Sequence, residues 1–225
     1  MPLSKLKELS KSDPENAYAL LLGISNLMPS DVDLVKDKET AHLIRDSWDY
    51  WWKIKDKLKN TCMSRHQWSL AHIRPANHPM RRMMAAAVLF AQDEELINKI
   101  RPSATIEPKQ WIKDTLETLK LDTENYWTKR LALGNENEKV TMALIGEKRG
   151  IAILTNVLVP FLAASDEHAL FSEGLAEVLP SESMNSIIKQ TAHALFGPDH
   201  SPKLYNSGLK RQGLNQIFQD YGLSG

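Results

Sequence analysis

A single cysteine, Cys62, stands among the 225 residues. With no second thiol the chain closes no internal disulfide, and this usage fits a reducing compartment. Net charge is absent too: 28 Lys and Arg face 28 Asp and Glu. No global field therefore draws the chain to nucleic acid or acidic membranes, and any such attraction must come from a local patch. Long apolar runs are also missing. The longest, IAILTNVLVPFLAA at 151–164, carries Asn156 and Pro160 and is too short to span a bilayer. The opening MPLSKLKELSKSD spreads lysines among isolated leucines, without the apolar centre of a signal peptide. These absences predict a soluble cytoplasmic protein that is not held in a membrane.

Enzyme signatures are equally scarce. The chain has no GxxxxGKS phosphate loop, no GxSxG, no HExxH and no pair of CxxC motifs. A nuclease-like acidic arrangement is matched weakly by Asp93 with Glu107-Pro108-Lys109. Such a site needs carboxylates on strands converging at one ion, whereas these flank a proline-broken loop between helices. No catalytic residue, metal ligand or cofactor is assigned from these patterns.

What the chain has in plenty is helical periodicity. SDPEN opens the first clear helix: Asp13 or Ser12 caps it, Pro14 suits the first turn, and Glu15 favours the positive end. Ala17, Leu20, Leu21, Ile24 and Leu27 follow on one face until MPSD at 28–31 breaks it. A longer helix is predicted from about Glu39 to Lys59, with Ile44, Trp48, Trp51 and Leu58 on one side. The Trp48, Trp51, Trp52 group could stack bases. Two of its members share the apolar face, which favours core packing.

MRRMMAAAVLFAQ then reads as a helix with Met83, Met84, Ala87, Val88 and Ala91 inward. Pro108 opens another, which groups Trp111, Ile112, Thr115, Leu116 and Leu119. Asp122 or Thr123 is read as the cap of a helix through Tyr126, Trp127 and Leu131 that Gly134 stops. Further helices are predicted over 138–145, 148–164, 166–179, 184–195 and 207–221. No repeat, low-complexity tract or long linker occurs; GNENE at 134–138 is the best candidate boundary. The expectation is one all-α domain, an irregular array of roughly eight to ten helices.

Cys62, His66, His72 and His78 are zinc-ligand types spaced by four, six and six. A spacing of six lies on no common helix face, so they read as loop and surface histidines with a partly buried cysteine.

The charge distribution is more informative. From Thr61 to Gln92 there is no Asp or Glu, while Arg65, Arg74, Arg81, Arg82 and three histidines are present. A second acid-free stretch, His200 to Gln219, contributes Lys203, Lys210 and Arg211. At the centre of the first lies HIRPANHPMRR, residues 72–82. Arg74 and His78 each precede a proline, which pushes both towards extended backbone and stiffens the loop. Asn77 is placed to cap the helix that follows.

Three readings stand. In the first, the loop arginines bind a phosphate or nucleic acid through forked contacts, aided by the helix N-terminus, with Trp68 or His78 available to stack. The binding set is then Trp68, His72, Arg74, Asn77, His78, Arg81 and Arg82, joined by Lys210, Arg211 and Gln212. In the second, the arginines are internal ion pairs that pin a structural or protein-docking scaffold. In the third, His72 or His78 serves a hydrolase as acid–base, with partners that arrive through the fold.

Four segments carry a resemblance: LLGISNLMP (21–29), the Trp68…Arg74-Pro75-x-Asn77-x-Pro79-x-x-Arg82 core, NVLVPF (156–161) and KRQGLNQIFQDY (210–221) with Gln212-Gly213-Leu214. In this pattern the chain resembles a bacterial family known only as domain of unknown function 2851. The resemblance implies a shared fold and no established activity. It aligns the chain with the C-terminal half of family members. Their N-terminal half, with an acidic GDIE-like segment suggestive of a nuclease-type core, has no counterpart here. Members also tend to end in a small cysteine cluster, whereas this chain ends Tyr221-Gly-Leu-Ser-Gly. If the family's chemistry lives in that half, the resemblance implies an accessory domain or a fragment beside a separate nuclease-like half. The phosphate or nucleic-acid ligand is the expectation of the charge pattern, and the oligomeric state stays open.

Overall fold

In a computed structural model of the chain, residues 2–29, 37–91, 96–103, 105–121, 123–164, 169–182 and 184–221 are described. The fold is all-α. Among these residues, extended pairing is limited to one isolated antiparallel bridge, Leu121 with Ile145. The contacts divide the chain into two compact units, Met1–Asn98 with Lys120–Gly146, and Lys99–Leu119 with Glu147–Gly225. The GNENE segment lies inside the first of these.

The first unit is built on α2 (Pro14–Ile24), whose Asp13 cap accepts from the Asn16 N–H at 2.8 Å and whose first turn holds Pro14 and Glu15. The helix is buried on more than one face: Ala17, Tyr18, Ala19, Leu20 and Leu22 all have 2% exposure or less. It packs against α3 (Lys38–Ile54) and α4 (Pro79–Ala91), and α1 (Leu3–Ser10) lies against α2 and α4. Asp37 caps α3 through the Thr40 N–H. Gly23 lets α3 come close: a Cβ there would sit 2.2 Å from the Trp51 ring. α3 ends at Ile54, and the chain continues to Thr61 in short 3-10 turns rather than as a helix to Lys59.

Two predicted helices of this unit are not helical. Around Tyr126 there is only a 3-10 turn, Tyr126–Thr128, capped by Asn125; Asp122 lies outside the described residues. Residues 138–145 run extended, because their backbone groups are claimed from elsewhere. The N–H groups of Glu138, Met142 and Leu144 bond Lys129, Thr128 and Leu121 carbonyls at 2.7–2.8 Å. A helix needs those donors for its own i−4 carbonyls.

The second unit places α6 (Pro108–Leu119) against α7 (Glu147–Ile153) and α9 (Ala169–Val178). Trp111, Ile112, Leu154, Leu162, Leu175 and Leu179 form its core. α7 passes through a π-helical turn, Leu154–Leu158, into α8 (Val159–Ala163). Pro160 has no N–H to give the carbonyl four residues back, and the turn widens ahead of it. α10 (Ser186–Phe196), capped by Asn185, packs on α11 (Gly208–Tyr221) around Ile188, Ala192, Tyr205 and Leu214. α5 (Leu96–Ile100) and α1 are additional to the predicted helices: α5 is one short turn, and α1 buries Leu6 and Ser10.

Candidate functional site

The proline-rich loop belongs to the first unit and is anchored at both ends. At its start, the carbonyls that end α2 are answered by loop donors. Met63 N–H bonds the Ile24 carbonyl at 2.7 Å, and the Trp68 indole Nε1–H bonds Ser25 at 2.8 Å. Helix ends leave such carbonyls without intrahelical partners, so the loop completes the helix and is itself fixed. Trp68 is thereby a half-buried tether.

At the other end, two arginines leave the first turns of α4 and hold the extended segment. Arg81, only 4% exposed, donates from Nη2 to the Met142 and Ala143 carbonyls at 3.3 and 3.2 Å. Arg82 donates to Leu144 from Nη1 at 3.2 Å, and from Nη2 to the Ala76 carbonyl and Asn77 Oδ1, both at 2.8 Å. A guanidinium offers five donors in a fixed plane, so one side chain can serve several carbonyls at once. Burial lowers the Arg81 pKa from the usual arginine range.

Asn77 does not cap α4. It sits in a 3-10 turn, Pro75–Asn77, and its amide oxygen serves Arg82. The cap is His78, whose Nδ1 accepts from the Met80 N–H at 3.4 Å and whose carbonyl receives the Arg82 N–H. Burial holds the His78 pKa below its ordinary value, which keeps the ring neutral and able to accept. Arg74 and His78 both have the extended backbone expected before proline, with ψ of 136° and 135°.

Between these anchors the loop turns its remaining basic side chains outward. Arg65, His66, His72 and Arg74 are exposed, and among the described residues their side chains make no hydrogen bond or ion pair. His72 holds a left-handed backbone, φ 60°, which is unusual for a residue with a side chain. Cys62 is exposed rather than partly buried, with its Sγ 3.5 Å from the Leu58 carbonyl. Among the described residues, no three His, Cys, Asp or Glu side chains gather as they would around an ion. Asp93, of the weak acidic match, lies outside the described residues.

Lys210, Arg211 and Gln212 belong to the second unit. Arg211 donates to the Tyr205 carbonyl at 3.1 Å and to the Glu182 carbonyl. Gln212 donates to Glu182 Oε1 at 2.8 Å and to Asn156 Oδ1 at 3.2 Å, and Asn156 in the π turn reaches the same carboxylate at 2.9 Å. These two side chains tie α11 to the π turn and to the 182 segment. Among the described residues, Lys210 alone of the three is exposed without such a partner.

Two arrangements in the first unit escaped sequence reading. Arg130, with 3% side-chain exposure, pairs with Asp37 at 3.2 Å and Glu39 at 2.6 Å and lies over the Tyr126 ring. A bond from Thr40 is the main cause holding the Asp37 carboxyl below the usual range, with Arg130 contributing. Nearby, a cavity of about 320 Å³ is lined by Glu15, Glu39, His42, Asp46 and Tyr126 among others. His42 and Asp46 are 3.2 Å apart and exposed. Their i,i+4 spacing on α3 was the available signal, but it is common on solvated helix faces.

A family model described as protein of unknown function (DUF2851) matches residues 1–181. The chain belongs to that family. The matched span takes in the 21–29, 68–82 and 156–161 motifs, while the 210–221 element lies beyond it. No curated protein and no solved structure matches the chain. Among the described residues, no helix is long and apolar enough to cross a membrane.

Proposed function

We propose that the chain is a non-enzymatic nucleic-acid-binding module, acting beside a separate catalytic, nuclease-like partner. The carrying observation is the loop's division of labour. Arg81, Arg82 and Trp68 are spent internally on backbone carbonyls. Arg65, His66, His72 and Arg74 are exposed on the backbone those three hold. No acid occurs between Asp56 and Asp93 to compete with phosphate for them. The Arg65 and Arg74 cations on a pre-ordered loop lose little ordering entropy on contact, which favours phosphate binding. Lys210 is a further exposed cation, on the second unit.

Fluorescence anisotropy with labelled DNA and RNA at low and physiological salt tests this. Arg65→Ala and Arg74→Ala each weaken binding several-fold and lower the slope of log affinity against log salt by about one. Absence of binding at low salt, or binding indifferent to both substitutions, removes the reading.

A second reading, a protein-docking scaffold, is favoured by the exposed apolar side chains of the second unit, Phe161 at 73% and Val157 at 56% exposure. It predicts that Phe161→Ala abolishes association with the catalytic partner without altering nucleic-acid affinity.

A further inference from the structure

We propose, resting on the nucleic-acid reading above, that the ligand is single-stranded and that Trp52 is the platform on which one of its bases stacks. The three tryptophans of α3 have separate fates. Trp51 is buried against Gly23. Trp48 is half-buried and donates its indole N–H to the Pro29 carbonyl at 2.7 Å. Trp52 remains 56% exposed, stacked on Trp48 with ring centroids 5.8 Å apart and planes at 26°. An aromatic ring left in water and already held flat by a second ring is costly apolar exposure that a base face would cover.

Position joins this ring to the basic loop. The segment from Ile24 to Pro29 receives three bonds, from Met63 N–H, Trp68 Nε1 and Trp48 Nε1. The tryptophan pair and the start of the loop are therefore held at the same end of α2. Along the sequence between them basic residues outnumber acids: Lys53, Lys55, Lys57, Lys59, Arg65 and Arg74 stand against Asp49 and Asp56. Lys55 places its Nζ 3.2 Å from the Trp52 ring centroid. In the free protein this cation covers the ring, and an arriving strand gives it a phosphate to move to while a base takes its place.

The strandedness follows from geometry. In a duplex the base faces are stacked on one another, and a protein aromatic reaches them only by unstacking a step. A single strand presents its faces without that cost, which is why exposed aromatics interleaved with cations suit it.

The test compares an oligo(dT) strand with a mixed-sequence duplex of equal length, using the full chain, Trp52→Ala, Trp52→Phe and Arg74→Ala. Thermal melting serves as the folding control. The expected result is tighter binding of the single strand, weakened about ten-fold by Trp52→Ala, largely kept by Trp52→Phe, with duplex affinity unchanged by either. Arg74→Ala weakens both ligands. If the strand and the duplex bind equally and Trp52→Ala leaves strand affinity unchanged, the stacking proposal falls while the nucleic-acid reading stands. If neither ligand binds at low salt, both fall.

Discussion

Arg82 reaches Leu144 across 62 residues of sequence, its Nη1 donating to the carbonyl at 3.2 Å while Nη2 holds Ala76 and Asn77. One side chain thus joins the helix that follows the loop, the loop itself and an extended segment remote in sequence. Arg81 beside it serves Met142 and Ala143. Removing either leaves carbonyls without their donor, and hydrogen bonds from charged groups are worth about 1.5–3 kcal/mol each. Arg82→Ala and Arg81→Ala are each expected to cost about 2–4 kcal/mol in urea unfolding. Arg74→Ala, on the exposed arm, leaves stability within about 0.5 kcal/mol. Equal effects at Arg74 and Arg82 would contradict this division.

Gly23 and Trp51 occupy one another's space. A Cβ on Gly23 would lie 2.2 Å from the ring, and the ring is buried. Gly23→Ala therefore forces α2 and α3 apart and is expected to cost about 3 kcal/mol or more, read as a lower melting temperature. A substitution tolerated without loss would show that the two helices do not pack this closely.

His78 makes stability pH-dependent in a stated direction. Unfolded, the ring takes its proton near 6.5; folded, burial holds the value lower. The fold thus keeps its full stability above about pH 6.5 and loses this contribution as pH falls through the folded value. Protonation also removes the acceptor for the Met80 N–H and puts a positive charge at the positive end of α4. His78→Asn retains a capping oxygen and does not titrate. Its unfolding free energy, measured against pH, is expected to fall less on acidification than that of the parent chain.

Lys210 and Arg211 are neighbours with opposite expected effects. Arg211 holds the Tyr205 and Glu182 carbonyls, so Arg211→Ala lowers stability by about 1–3 kcal/mol. Lys210 is exposed, and Lys210→Ala is expected within about 0.5 kcal/mol while weakening nucleic-acid binding at low salt. Thermal melts of both variants, with anisotropy at low salt, decide the pair.

Much of the helical architecture was legible locally. Asp13-Pro14-Glu15 and Pro108 mark helix starts by chemistry that acts within one turn, and both helices begin there. The prolines at 75 and 79 set the backbone of Arg74 and His78 for the same reason. Residues 138–145 were misread because helical spacing of apolar residues says nothing about backbone partners. Their N–H groups are claimed by Leu121, Thr128 and Lys129, and three of their carbonyls by Arg81 and Arg82.

By itself the sequence determined an all-α chain, a proline-stiffened basic loop free of acids, and a family pattern centred on Trp68 to Arg82. These follow from periodicity, from steric limits one residue wide, and from composition. Only the tertiary structure decided which cations are spent and which are left. Whether an arginine faces an acceptor or water depends on segments remote in sequence, 62 residues away for Arg81 and Arg82 with 143–144 and 93 for Arg130 with the Asp37 carboxylate. The sequence offered ion pairs or a binding site as the fate of the loop arginines. Among the described residues the fold gives Arg81 and Arg82 backbone carbonyls, and it leaves Arg74 exposed.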